Sequence, residues 1–239
     1  MIHTVIFALF FLITLILSVL IHIPYYIFHF IGRRELRERW VHFCLRNWSR
    51  ALLFVAGARV EVNGIENVPD GNLLIVSNHQ SYFDILIVVG YVPKLTGFIA
   101  KRSLKYIPLF SDWMRKIHCV FINRKNLKES YGSIMEGVKS IKSGNSLLVF
   151  PEGTRSKGNK MNRFKPGSFK LAELTGVPIL PITIDGAYHL FEEKGKIQSA
   201  RVYLTIHKPI ITRDLAEEEK KELPGKVFSI VQTGMKRNL

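Results

Sequence analysis

Cysteine is scarce. Cys44 and Cys119 are the only two in 239 residues, far apart and without metal-ligand spacing, so neither a disulfide framework nor a cysteine-based zinc site is expected and a reducing compartment is the simpler setting. Acidic residues are also few, 19 Asp+Glu against 34 Lys+Arg, for a net charge of +15. That imbalance calls for an anionic partner: a phospholipid surface, nucleic acid or a phosphorylated substrate. Nucleic acid ranks last, because basic residues beyond the N-terminal region are scattered and no binding motif with interleaved aromatics is present. No G-x-S-x-G elbow occurs, which removes the usual context for a serine nucleophile. Repeats, low-complexity tracts and linkers are missing as well.

Residues 1–31 hold no Asp, Glu, Lys or Arg. The run is too long for a signal peptide and lacks a basic start and a small-residue cleavage site. It reads as a membrane segment with His3, Thr4, Thr14, Ser18, His22, Pro24 and His29 as its interruptions. A straight helix of this length reaches roughly 46 Å at about 1.5 Å per residue, beyond a hydrocarbon core of about 30 Å. It therefore tilts, extends past the bilayer, or bends at Pro24. Arg33, Arg34, Arg37 and Arg39 follow directly, which puts the rest of the chain in the cytoplasm if the segment spans. On the next helix Val41, Cys44, Leu45, Trp48, Leu52 and Val55 share one face, opposite Arg39, Arg46 and Arg50. Such a helix lies flat in the headgroup layer or packs on the domain core. A hairpin of the two helices within one leaflet is the alternative to a true span.

With hydrophobic content at 47%, the chain has enough core for one substantial domain plus an appendage: membrane-anchoring helices over 1–57 and an α/β domain over 58–239. Strands are expected at 59–62, 73–76, 96–100, 119–122, 146–150, 179–184 and 202–206. Helices are expected at 84–91, 104–116, 127–142, 168–174 and 215–236, the last interrupted near Pro224. Alternating strands and helices imply an α/β fold, a mainly parallel sheet flanked by helices. Gly144 and Gly176 fall where helix C-caps belong.

Two stretches carry the chemistry. Residues 73–84 read LLIVSNHQSYFD: a buried strand, then a loop presenting His79 and, five residues on, Asp84. A strand-loop-helix junction can fold that carboxylate back onto the imidazole, as a general base requires. The spacing Ser81-x-x-Asp84 also satisfies a capping box. Residues 147–156 read LLVFPEGTRS, another strand running into a loop at the sheet end where open α/β folds place ligands. There Gly153 lets backbone amides approach an anion, Arg155 offers a planar fork for phosphate oxygens, and Glu152 fixes that guanidinium or accepts a substrate hydroxyl. Lys105, in the segment KRSLKYIP, and Arg124, in FINR, are further phosphate-holding candidates.

The blocks NHQSYFD, FINR, FPEGTRS and VPILP, in this order over residues 73–186, resemble the motifs of the 1-acyl-sn-glycerol-3-phosphate acyltransferase family, also called lysophosphatidic acid acyltransferases. The resemblance implies transfer of an acyl group from acyl-CoA or acyl carrier protein to the 2-hydroxyl of lysophosphatidate. No metal and no cofactor beyond that co-substrate are implied. Carried onto this chain, it makes His79 the general base and Asp84 its partner. Glu152, Gly153, Thr154 and Arg155 form the acceptor-binding block, assisted by Arg124. Ser103, Ser111 and His118 depart from the family's usual Glu, Gly and Gly; they leave the catalytic pair untouched but bear on the acceptor pocket and on Lys105. Other readings are an acyltransferase for another lysolipid or for glycerol-3-phosphate, and a non-catalytic membrane lipid-binding protein. The expected location is the cell membrane, with the catalytic domain on its cytoplasmic face.

Overall fold

The computed structural model describes residues 1–123 and 127–235. Seven strands form one sheet: β1 (Ala58–Asn63), β2 (Leu74–Ser77), β3 (Thr96–Lys101), β4 (Val120–Ile122), β5 (Ser146–Val149), β6 (Ile179–Asp185) and β7 (Ala200–Ile206). Their spatial order is β1-β7-β6-β2-β5-β3-β4. Every pairing is parallel except β6 with β7.

Helices cover both faces, and the alternation of side chains along a strand explains how. From β2, Ile75 joins the core that also contains Leu45 and Leu53 of α2 (Arg34–Val55), Phe83 and Ile87 of α3 (Phe83–Tyr91), and Trp113 of α4 (Phe110–Lys116). Its neighbours Leu74 and Val76 point the other way, into a second core. That core holds Val138 and Ile141 of α5 (Leu127–Lys142), Leu171 of α6 (Lys170–Thr175), and Leu223, Val227 and Val231 of α7 (Glu217–Gly234). Gly176 closes α6 with φ 69°, the C-cap conformation that glycine adopts without steric cost.

Two expected elements differ. The helix expected over 104–116 is broken into a 3-10 turn, Arg102–Tyr106, and α4. Pro108 lacks an N–H and forces the residue before it out of helical geometry; Ile107 is accordingly extended, with ψ 110°. By contrast, α7 runs unbroken through Pro224. Burying Leu223, Val227 and Val231, at roughly 1.5–3 kcal/mol each, outweighs the ~3 kcal/mol that an interior proline costs. Helix α1 (Ile2–Phe30) likewise continues through Pro24. His118 takes φ 63°, in the left-handed region that favours glycine.

Of the two settings considered for α2, the structure has it packed on the domain core. Val41, Leu45, Ser49, Leu52 and Leu53 are buried, while Cys44 and Val55 are only half-buried. Arg50, assigned to the polar face, donates from Nε to Gly90 O at 2.7 Å and lies over the Tyr91 ring.

The polar interruptions of α1 form contacts with the rest of the protein. Ile197 N donates to Thr4 Oγ1 at 3.0 Å, Trp48 Nε1 to Thr14 Oγ1 at 2.9 Å, and Trp113 Nε1 to Ser18 Oγ at 2.8 Å. His22 Nε2 lies 3.2 Å from Asp112 Oδ2, which also pairs with Lys116. Thr14, Ser18 and His22 recur every four residues, so they line one face. The outward face exposes Leu9, Ile13, Ile16, Leu20, Ile23 and Ile27. By length and composition α1 is sufficient to cross a membrane. Ser18→Ala strands the buried Trp113 indole N–H and is expected to lower stability by about 1–3 kcal/mol. Thermal unfolding in detergent measures this, and an unchanged midpoint shows that the Ser18 bond does not hold the helix in place.

Candidate active site

Strand β2 lies between β5 and β6, so the loop leaving its carboxyl end meets the loops leaving both neighbours. Asn78 fixes the exit. Its side chain donates to Ile184 O at 2.8 Å and accepts from Ile184 N at 2.8 Å, extending the pairing with β6 by one side chain. The chain then turns through Gln80 and Ser81 into α3, whose second residue is Asp84.

Asp84 is wholly buried. Its Oδ2 receives three hydrogen bonds: His79 Nδ1 at 2.7 Å, Gln80 N at 2.6 Å and Ser81 N at 2.8 Å. Burial pushes this carboxyl above its ordinary range, against the pull of those donors. The expected capping box forms only in half: Asp84 Oδ2 accepts Ser81 N, but Ser81 Oγ accepts Phe83 N at 3.1 Å instead of the Asp84 N–H, and the carboxylate that closes the turn before α3 also holds the imidazole. His79 is further oriented by Phe150, stacked on its ring at 4.0 Å and 15°. Its Nδ1 is engaged by Asp84, its side chain is 17% exposed, and Nε2 has no hydrogen-bond partner among the described residues.

The loop after β5 closes on the loop after β2 through Glu152. One carboxylate oxygen accepts His79 N at 2.6 Å and the other accepts Asn162 N at 2.7 Å, while Ser156 N donates to His79 O at 2.7 Å. Glu152 is 3% exposed, and burial pushes its carboxyl upward. The partner of the Arg155 guanidinium is Glu192, not Glu152. Arg155 Nη1 donates to Glu192 Oε1 at 2.7 Å, and its guanidinium lies 3.3 Å from the centre of the Tyr82 ring. Gly153 has φ 77°, with the Lys165 ammonium 2.9 Å from where a Cβ would stand.

Thr154 is exposed beside Arg155. Lys105 is exposed on the 3-10 turn Arg102–Tyr106. Arg124 lies outside the described residues. Motif reading did not single out Asn78, Phe150, Lys165 or Glu192. Asn78 and Phe150 stood inside the quoted blocks and were open to notice, whereas Glu192 lies far along the chain in an ordinary charged run with no local signal.

An apolar cavity of about 560 Å³ opens beside this junction, within the roughly 300–1,000 Å³ typical of ligand sites. Tyr82 and Phe83 of the His79 loop line it, as do Phe7 and Phe11 of α1 and Trp113 and Met114 of α4. Cys119 is no competing nucleophile: Phe98 N donates to its sulfur at 3.4 Å, and burial drives its thiol far above the ordinary range.

The fold and the motif-bearing core define the class: the chain belongs to the acyltransferase family, whose model matches residues 59–185. Among individual relatives it is 41% identical over 155 residues to a probable 1-acyl-sn-glycerol-3-phosphate acyltransferase of Mycoplasma pneumoniae, covering 63% of this chain and 58% of that one. It is 32% identical over 181 residues to the 1-acyl-sn-glycerol-3-phosphate acyltransferase of Borreliella burgdorferi, covering 75% and 72%. The crystal structure of the 1-acyl-sn-glycerophosphate acyltransferase PlsC from Thermotoga maritima superposes with a TM-score of 0.79 at 30% identity, over 98% of this chain and 95% of that one.

Because each Glu152 oxygen faces a backbone N–H, Glu152→Gln turns an amide NH2 against one of them. A loss of about 1–3 kcal/mol in unfolding free energy is expected. Urea denaturation measures it, and wild-type stability rules out Glu152 as the clamp between the two loops.

Proposed function

We propose that this protein is a membrane-bound 1-acyl-sn-glycerol-3-phosphate O-acyltransferase, moving a fatty acyl group from an acyl thioester to the 2-hydroxyl of lysophosphatidate to give phosphatidate. The observation that carries the reading is the 2.7 Å contact between His79 Nδ1 and Asp84 Oδ2 beside an apolar cavity. The names of the relatives supply the substrate class.

In this reading Asp84 accepts a hydrogen bond from Nδ1–H, fixing the tautomer that leaves Nε2 as the base. The acceptor hydroxyl oxygen attacks the thioester carbonyl while its proton passes to Nε2. Collapse of the tetrahedral intermediate breaks the carbon–sulfur bond, and the leaving thiolate takes the proton from the imidazolium. No covalent acyl-enzyme is needed. Asp84 stabilises the transient imidazolium at short range in a buried setting, where charge interactions are strong.

Arg155 meets the acceptor phosphate with the guanidinium N–H groups that Glu192 does not use. Gly153 and Thr154 shape that loop, and Lys105 and Arg124 add positive charge. The donor is acyl-CoA or acyl carrier protein, both acidic partners suited to a chain of net charge +15. The cavity takes an acyl chain.

Extracting a chain of roughly 15 methylenes into water costs on the order of 12 kcal/mol, so the site works at the bilayer surface. Helix α1 is tied to the protein near Val55 and Ile197 at its N-terminal end and through His22 to Asp112 in its second half. That geometry supports a helix lying in one leaflet over a free-standing span; in this reading the domain sits at the cytoplasmic face of the cell membrane.

The test crosses both donor types with lysophosphatidate, glycerol-3-phosphate and a phosphate-free monoacylglycerol, using the full chain in detergent or vesicles. Phosphatidate is expected from lysophosphatidate, with His79→Ala reducing turnover at least ~10²-fold in folded protein. Normal phosphatidate synthesis by His79→Ala refutes the base assignment. Acylation of glycerol-3-phosphate alone refutes the acceptor. Arg155→Ala is expected to raise the KM for lysophosphatidate by about 10- to 100-fold, and an equal loss with monoacylglycerol removes Arg155 from phosphate binding.

A further inference from the structure

Glu192 follows the 3-10 turn Ala187–Leu190 beyond β6, outside every motif block. Its side chain is 3% exposed, and a carboxylate so buried needs its charge and lone pairs answered. Three partners do this. Oε1 accepts Arg155 Nη1 at 2.7 Å and Tyr82 N at 2.9 Å, and Oε2 accepts Ser81 Oγ at 2.6 Å. Ser81 and Tyr82 belong to the loop between His79 and Asp84, and Ser81 N is itself a donor to Asp84. One carboxylate thus joins the loop that aims the imidazole to the arginine of the neighbouring loop.

The guanidinium is held from two sides. Glu192 takes Nη1, and the Tyr82 ring lies beneath its plane, a favourable cation–π placement. Nε and Nη2 have no partner among the described residues. The adjacent Phe191 lines the apolar cavity, as Tyr82 does, so the clasp stands beside the cavity.

We propose that Glu192 is the positioning residue of the acceptor site, fixing the Arg155 guanidinium against Tyr82 so that its unused N–H groups face the acceptor phosphate. This rests on reading Arg155 as the phosphate ligand. Glu192 itself touches no substrate. Its effect is to remove the conformational freedom that a long arginine side chain otherwise loses on binding, and to make headgroup capture depend on the same loop that places the base.

Steady-state kinetics of Glu192→Gln, Arg155→Ala and the double variant test this, with lysophosphatidate and with monoacylglycerol as acceptors. Glu192→Gln keeps the volume and one accepting oxygen but loses the charge. Its KM for lysophosphatidate is expected to rise about tenfold, while the donor KM and the turnover of monoacylglycerol stay within about twofold. The double variant is expected to be no worse than Arg155→Ala, since the two residues act as one unit. Glu192→Asp, which keeps the charge but shortens the reach, provides a second variant and is expected to show a smaller shift of the same kind.

A matching fall in turnover with both acceptors, or losses that multiply in the double variant, makes Glu192 a fold tie and overturns the proposal. An impaired Arg155→Ala beside a normal Glu192→Gln overturns it while leaving Arg155 as phosphate ligand. A normal Arg155→Ala removes the phosphate reading, and the proposal falls with it.

Discussion

A carboxylate with no exposed surface constrains everything around it. Asp84 keeps its place because His79, Gln80 and Ser81 converge on a single oxygen, and that convergence dictates the turn between β2 and α3. The turn in turn needs anchors. Asn78 ties it to the end of β6, Glu152 and Ser156 tie it to the loop after β5, and Glu192 ties it to the segment after β6. The sheet order that puts β2 between β5 and β6 is what brings all of these within reach. Charge placement at the site and strand topology are therefore two views of one constraint.

The apolar helix α1 belongs to the same structure. Its Leu15 is part of the core shared with α2, α3 and the sheet, and its Phe7 and Phe11 line the cavity together with Phe83 and Trp113, the Phe7 and Phe83 rings packing 5.5 Å apart. The short polar residues that interrupt its sequence receive N–H donors from the domain. In apolar surroundings an unpartnered donor is costly, so these bonds specify register and orientation where lipophilicity alone specifies neither. The outward face is left apolar, and the cavity lies behind the inward one.

Much of this was legible along the chain. All seven strands lie within two residues of their expected starts, because runs such as those ending at Val76 and Val149 are buried on both faces and carry an unbroken apolar pattern. The His-x4-Asp spacing announced a strand-loop-helix turn. Where the reading failed, a proline or a long-range contact decided. Pro108 broke an amphipathic pattern that otherwise looked continuous. Pro224 did not break α7, because the burial of its apolar stripe prevailed. The face assigned to α2 missed Ser49 and Leu53, which are buried because the helix packs on the domain, Ser49 beside Gly90 of α3 and Leu53 in the core shared with the sheet.

The sequence by itself determined what local pattern can encode: the apolar N-terminal helix, the alternation of strands and helices, and the presence of a histidine and a carboxylate five residues apart after a buried strand. Only the tertiary structure decided the partners. Glu152 lies three residues from Arg155 and was the natural mate for its guanidinium, yet it is spent on backbone N–H groups of two loops, and Glu192 fills that role from 37 residues away. Hydrogen bonds depend on distance in space, and a buried carboxylate takes whichever donors the fold delivers, irrespective of how near they stand in the chain.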